Sequence, residues 1–349
     1  MTQTNGDPDG VHGAAVTAWF AEHVPDAVAP LDFSLIAGGH SNLTYRVADA
    51  AGGRWVLRRP PLGHVLATAH DMGREHKIIA ALGPTAVPVP PIAGLCSDDS
   101  VNGAPFYVMR FVEGHVVRDA ATAHSVLDDA GRRHAGDSIA DVLADIHAVD
   151  VDAVGLGDLG KKEGYIARQL KRWYSQFQSS NELTGRAVPL VHDVHDALAA
   201  RIPEQGAPAI VHGDYRLDNC LVDDAGHIAA VLDWELCTLG DPLADLGLLI
   251  VYWTEPGDAQ QALLAAPTVV EGFPSRAEVV DRYAERSGRD VSSVDFYVAF
   301  GYWKLACIIE GVFARYSKGA MGKASGYEGF ERQVSGLAEL AADRVAALA

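Results

Sequence analysis

Hydrophobic and polar positions change rhythm about a third of the way along the chain. The first ten residues, rich in Gly, Asp, Asn and Pro, read as disordered. Residues 11–23 then read as a short amphipathic helix. Residues 33–37, 43–48 and 54–58 are short runs of β-branched and aromatic side chains, with Gly38-Gly39 and Gly52-Gly53 as turn signals between them, which predicts an antiparallel meander. Residues 69–82 place Met72, Ile78, Ile79 and Leu82 on or near one helical face and stop at Gly83-Pro84. Pro88, Pro90 and Pro91 force an extended run, and two further strands are expected around 92–97 and 105–112. Beyond Gly114 the spacing becomes helical, in segments 125–149, 164–178, 189–201, 241–252 and 297–315.

This switch predicts an α+β chain of two lobes. Residues 1–25 form a tail and helix, 26–112 a small β-rich lobe and 113–349 a larger, mainly helical lobe. The 349 residues, 48% of them hydrophobic, supply ample material for such cores. No uninterrupted apolar stretch of spanning length is evident, and MTQTNGDPDG lacks the basic-then-apolar layout of a signal peptide. The expectation is a cytoplasmic protein with no membrane partner. Cys96, Cys220, Cys237 and Cys307 lack C-x-x-C spacing, so neither a zinc site nor a disulfide framework is suggested. A net charge of -18 argues against nucleic acid, whose binding is dominated by phosphate neutralisation. Gly155, Gly157 and Gly160 match a dinucleotide-binding spacing, but a helical pattern precedes them where that motif requires a strand, so they read as a loop.

The chemistry gathers in 210–247, IVHGDYRLDNCLVDDAGHIAAVLDWELCTLGDPLADLG. An apolar strand delivers His212-Gly213-Asp214, and Asn219 follows five residues after the aspartate. A tight turn over 223–227 leads into a second strand that ends at Asp233. The expected hairpin brings Asp214, Asn219 and Asp233 to one end of a small sheet. Three hard oxygen donors suit magnesium, which completes its shell with water and phosphate oxygens. Phosphoryl transfer asks a protein for positioning and charge neutralisation. In that scheme Asp233 and Asn219 hold metal, Asp214 accepts the proton of the attacking hydroxyl, and Arg216 reaches the transferred phosphate. His212 reads as a structural partner of the loop, and Asp241 and Asp245 as a helix cap that braces it.

Here the chain resembles the aminoglycoside phosphotransferase (choline kinase-like) family, a relative of the protein kinases. HGDYRLDN is similar to its catalytic-loop motif, and VLDWELCTLGDPLADLG to its metal-binding segment with the D-P-x-x-D-L continuation. GLGDLGKKEGYIARQLKRW and WVLRRPP resemble the branch that includes the kinase-like domain fused to some acyl-CoA dehydrogenases. The resemblance covers almost the whole chain. It implies a bilobal protein kinase-like fold with ATP and Mg2+ as cofactors and a small molecule as phosphate acceptor.

In the first lobe the resemblance makes Gly38, Gly39, Ser41 and Asn42 the loop that covers the phosphates. Met109 and Phe111 fall in the hinge segment beside adenine. Arg58 stands where the family usually has a lysine on the α- and β-phosphates, and Glu75 is its ion-pair partner. Arg59 competes for that place, but strand alternation puts Arg58 on the face of Val56 and Arg59 on the other. An anionic acceptor such as a hydroxyacyl-CoA would find Arg168 and Arg172, and a cationic one Asp241, Asp245 or Glu310. Two alternatives stay open: a nucleotide-binding scaffold without catalysis, suggested by the missing lysine, and a genuine aminoglycoside resistance kinase.

Overall fold

The computed structural model describes residues 7–37, 42–62, 71–258, 266–317 and 329–348. They divide into two compact units: Met1–Glu113 with Ala229–Glu235, and Gly114–Ile228 with Leu236–Ala349.

The first unit opens with helix α1 (Gly13–His23). Strands β1 (Leu31–Ala37), β2 (Leu43–Asp49) and β3 (Arg54–Arg59) follow, and β1-β2 and β2-β3 pair antiparallel as the meander reading expects. Helix α2 (Met72–Leu82) is capped by Asp71, whose side chain accepts the Arg74 N–H at 2.9 Å; residues 69 and 70 of the expected helix lie outside the described residues. Strand β4 (Ile92–Cys96), the short helix α3 (Asp99–Asn102) and strand β5 (Phe106–Arg110) complete a sheet of order β1-β2-β3-β5-β4.

Alternation along β3 divides the unit's interior. Trp55 and Leu57 join Tyr45, Val47, Phe106 and Val108 in an apolar core with Val16, Trp19 and Phe20 of α1. Trp19 meets the Phe106 ring edge-on at a centroid distance of 5.0 Å, a favoured aromatic geometry. Gly94 is required there, since a Cβ at that position would come within 2.8 Å of the Trp19 ring. Val56 and Arg58 face away from that core.

The second unit is mainly helical: α4 (Ala120–Val126), α5 (Asp129–Ala148), α6 (Tyr165–Thr184), α7 (Pro189–Ala199), then strands β6 (Ala209–Val211), β7 (Cys220–Val222), β8 (Ile228–Val231) and β9 (Thr238–Gly240), then α8 (Leu243–Tyr252), α9 (Arg276–Ser287), α10 (Val294–Ser317) and α11 (Phe330–Ala347). At β8 the chain leaves this unit, and residues 229–235, counted with the helical part in the sequence reading, group with the first. Helix α10 is the hub, packing on α6, α7, α8 and α11.

Two readings are corrected. The helix expected over 125–149 is broken at Leu127, which is extended, and Asp128 caps α5 by accepting the Gly131 N–H at 2.8 Å. Helix α8 begins at Leu243 rather than at 241, because Pro242 takes the cap position. Among the described residues α10, although Lys304 and Glu310 interrupt its apolar run, is long and apolar enough on average to cross a bilayer, and 78% of its apolar window is buried within the protein.

Where α8 crosses α10, the backbones nearly touch. A Cβ on Gly247 would lie 2.5 Å from the Tyr297 carbonyl carbon, whereas one on Gly311, further along α10, would meet nothing closer than the Ser180 Oγ at 3.5 Å. Gly247→Ala should therefore lower unfolding stability by about 1–3 kcal/mol through overpacking. Gly311→Ala should raise it by about 0.5–1 kcal/mol through helix propensity. Urea unfolding of both variants checks the contrast; equal midpoints would show that the crossing relaxes freely.

Candidate active site

Strand β6, paired antiparallel with β9, carries the chain into His212-Gly213-Asp214. Gly213 turns with φ +88°, and a Cβ there would sit 3.1 Å from the Leu236 Cβ and 3.2 Å from its carbonyl oxygen. Glycine alone fits this conformation without strain. The loop is held by Asp245 in α8, whose carboxylate accepts the His212 N–H at 2.6 Å and the Gly213 N–H at 2.9 Å. Asp245 is 1% exposed. Burial pushes its carboxyl upward, but the His147 imidazole 3.5 Å away and the Gly213 N–H outweigh this and hold it below the usual aspartate range. Asp241 serves a different partner, accepting the Tyr297 hydroxyl at 2.5 Å and the Leu243 N–H at 3.2 Å.

The loop orders its own side chains. The fully buried His212 ring accepts the Asp214 N–H on Nδ1 at 3.3 Å. Asn219 ends a 3-10 turn, Leu217–Asn219, and its Nδ2 donates to the Asp214 carbonyl at 2.8 Å and to Oδ2 of the Asp214 carboxylate at 2.9 Å. The Arg216 Nε lies 3.6 Å from Asp214 and its Nη2 3.5 Å from Asp218, with the guanidinium stacked 4.5 Å above the Tyr252 ring. Burial pushes the Asp218 carboxyl up. One contributor escaped the sequence reading: Lys304 of α10 donates to the Gly213 carbonyl at 3.1 Å. Its only sequence signal is a lone cation in the apolar run FGYWKLAC.

A second constellation lies within the first unit. Arg58 donates from Nε to Glu75 at 3.2 Å and from Nη2 to Asp233 at 2.5 Å. Arg59 points elsewhere, to the Gly10 and Asn102 carbonyls at 2.5 and 2.9 Å. Burial disfavours the Arg58 charge, yet Glu75 and Asp233 together keep it firmly protonated; burial leaves the Glu75 carboxyl above the usual glutamate range. Asp233 has φ +62°, unique among the described non-glycine residues, followed by a 3-10 turn at Trp234–Leu236. Such a conformation costs about 1 kcal/mol or more and persists only where its surroundings impose it. Here those are the Trp234 indole, which is buried and donates to the Val231 carbonyl at 3.1 Å, and the Val231 N–H, bound to the Pro88 carbonyl at 2.8 Å. Asn42 is buried and donates to Glu235 at 3.1 Å. Met109 is buried on β5, and Phe111 follows the strand with its ring 5.1 Å from the Arg54 guanidinium. Gly38, Gly39 and Ser41 lie outside the described residues.

The structure thus joins Asp214 to Asn219 in one unit, and Arg58 to Glu75 and Asp233 in the other. The donor chemistry fits a hard cation. With its Nδ2 spent on Asp214, Asn219 keeps its Oδ1 out of any hydrogen bond among the described residues. Among the described residues no three His, Cys, Asp or Glu side chains gather as a metal site.

Sheet and helical unit together define the protein kinase-like bilobal fold. The model of the phosphotransferase enzyme family, APH, matches residues 32–289, and the chain belongs to that family. It is similar to Acyl-CoA dehydrogenase family member 10 of Mus musculus, with 33% identity over 91% of this chain and 29% of the relative. Family member 11 of Gallus gallus is 33% identical over 87% of this chain and 39% of the relative. The chain therefore spans between 29% and 39% of the length of these two curated relatives. Among solved structures, a Ralstonia eutropha protein provisionally named an aminoglycoside phosphotransferase superposes with a TM-score of 0.82 at 32% identity, covering 96% of this chain and 98% of the other. Choline kinase from Cryptosporidium parvum shares the fold, with a TM-score of 0.66 at 11% identity over 95% of this chain and 94% of the other.

The brace yields a prediction. Asp245→Ala strands two buried N–H groups, each costing about 1–3 kcal/mol when left without an acceptor. The variant should lose roughly 3 kcal/mol of unfolding stability. An unchanged urea midpoint would show that the loop keeps its shape without the carboxylate.

Proposed function

We propose that this phosphotransferase moves the γ-phosphate of ATP to a hydroxyl group of a small molecule, with magnesium. The observation that carries the reading is the Asp214–Asn219 pair, a carboxylate at a strand end oriented by an amide from its own loop. In this reading Asp214 accepts the hydroxyl proton while that oxygen bonds to the γ-phosphorus. The bond from the γ-phosphorus to the β-phosphate oxygen breaks, and ADP leaves. Arg216, fixed by the Tyr252 ring, places positive charge toward the moving phosphoryl group. Asp233 is assigned the first metal position and the Asn219 Oδ1 the second; magnesium, when bound, neutralises charge on the phosphates. Arg58 is assigned to the α- and β-phosphates. Asn42, with Gly38, Gly39 and Ser41, is assigned to the loop over them, and Met109 and Phe111 to the edge beside adenine.

The acceptor best supported is anionic, such as a hydroxyacyl-CoA. Arg168 spends one N–H on the Lys161 carbonyl at 2.6 Å, Arg172 lies 5.0 Å over the Trp173 ring, and neither meets a carboxylate among the described residues. In a chain of 46 acidic and 28 basic residues, arginines without carboxylate partners stand out. The relatives named for acyl-CoA dehydrogenases point the same way. A cationic aminoglycoside fits such a surface poorly. One observation favours a second reading, a nucleotide-binding scaffold: Arg58 already occupies an oxygen of Asp233.

Incubation with Mg-ATP and a panel of hydroxyacyl-CoA and aminoglycoside acceptors, read by mass spectrometry, should yield a phosphorylated hydroxyacyl-CoA. Asp214→Asn should lower kcat by about 10²–10⁴ fold, the usual worth of a general base. It should keep nucleotide stabilisation, about 2.7 kcal/mol at 100 times Kd. Turnover retained in that variant removes Asp214 as the base. A thermal shift without product from any acceptor selects the scaffold.

A further inference from the structure

Helix α10 carries two buried charges that are treated differently. Glu310, 0% exposed, accepts from Arg186 at 2.6 Å, Thr184 at 2.5 Å and Asn181 at 3.4 Å, so its desolvation is well compensated. Lys304, the one lysine among the buried described residues, meets no carboxylate at ion-pair distance there. It donates to a single neutral acceptor, the Gly213 carbonyl at 3.1 Å, with its ammonium 5.7 Å from the Trp173 ring centre. Trp303, Leu305 and Ala306 beside it are buried apolar side chains. For stability alone, methionine is the better residue here. Desolvating an ammonium costs several kcal/mol, and one carbonyl and one aromatic face recover only part of it.

What the lysine touches gives that cost a structural return. The Gly213 carbonyl belongs to the peptide that leads into Asp214, while the Gly213 N–H is held by Asp245. Gly213 is thereby clamped on both sides, its N–H by α8 and its carbonyl by α10. Burial holds the Lys304 ammonium below the usual lysine range; the Asp214 and Asp245 carboxylates favour its charge without outweighing burial, and Arg172 opposes it.

We propose that Lys304 is a positioning residue for Asp214: its N–H bond to the Gly213 carbonyl sets the peptide plane from which the carboxylate projects. The inference rests on the reading of Asp214 as the base, but its first test does not. In hydrogen–deuterium exchange, Lys304→Met should raise the exchange of a peptide spanning 210–220 about tenfold, as expected for losing one bond from a charged donor. Peptides from α5 should be unaffected. Lys304→Gln keeps an N–H donor without the charge and should exchange close to wild type.

In turnover, the Met variant should lose kcat by about a hundredfold, the scale of a misplaced catalytic group, with the KM for ATP within about twofold of wild type. The Gln variant should recover most of that loss. Far-UV circular dichroism confirms folding; if Met fails to fold, the Gln variant is compared with wild type alone. Unchanged exchange in the Met variant, or equal exchange increases in Met and Gln, overturns the proposal. Raised exchange in Met alone, with no turnover by wild type on any acceptor, upholds the anchor and removes the phosphotransfer reading.

Discussion

The second unit depends on one ionised carboxylate held almost entirely out of water. Asp245 would be a liability in that interior without partners, because desolvating a carboxylate costs several kcal/mol. Two backbone N–H groups from consecutive residues and the imidazole of His147, 3.5 Å away, supply them. The same bonds give β6 a fixed ending, since a strand of three residues has little to set its exit direction. Stability and loop shape are therefore one property. The helix carrying Asp245 must approach closely, and small residues permit it: a Cβ on Gly240 would fall 2.2 Å from the Tyr165 ring, and Gly247 lies against the Tyr297 backbone.

Helix α10 extends that constraint. Its composition meets the demands of a membrane span, yet its surface is spent on α6, α7, α8 and α11. The two charges within the run are resolved six residues apart, by a carboxylate–guanidinium pair at one and a loop carbonyl at the other. The first fixes the end of α6, whose Thr184 and Asn181 it engages, against α10. With that end pinned, Trp173 on the same helix is held beside Lys304. The packing of the hub and the setting of the 212–214 loop share side chains.

Most of this architecture was legible because the signals are local. The β-rich beginning, the helical remainder and the Asp214–Asn219 pair all rest on periodicity or short spacing. Alternation along β3 separates Arg58 from Arg59, and the structure pairs Arg58 with Glu75. Helix α9 went unread although Ser275 and Glu278 form a capping box that the sequence displays. The break before α5 was hidden because 125–149 keeps helical spacing across Asp128. Lys304 was not legible in principle. Its partner lies 91 positions away, and only the crossing of α10 over the loop reveals what the cation serves.

In the first unit, arginine in place of lysine changes what the position can do. Lysine ends in one compact charge, whereas the guanidinium is a rigid planar fork. Arg58 uses that fork to bind two carboxylates from different nitrogens, Glu75 through Nε and Asp233 through Nη2. The strained Asp233 backbone is thus tied to β3 and α2 at once. A nucleotide that draws on Arg58 must compete with Asp233 for the same guanidinium, and a cation that takes the Asp233 oxygens must displace the arginine. Because each event removes the other's competitor, nucleotide and divalent cation binding should be positively coupled at Arg58.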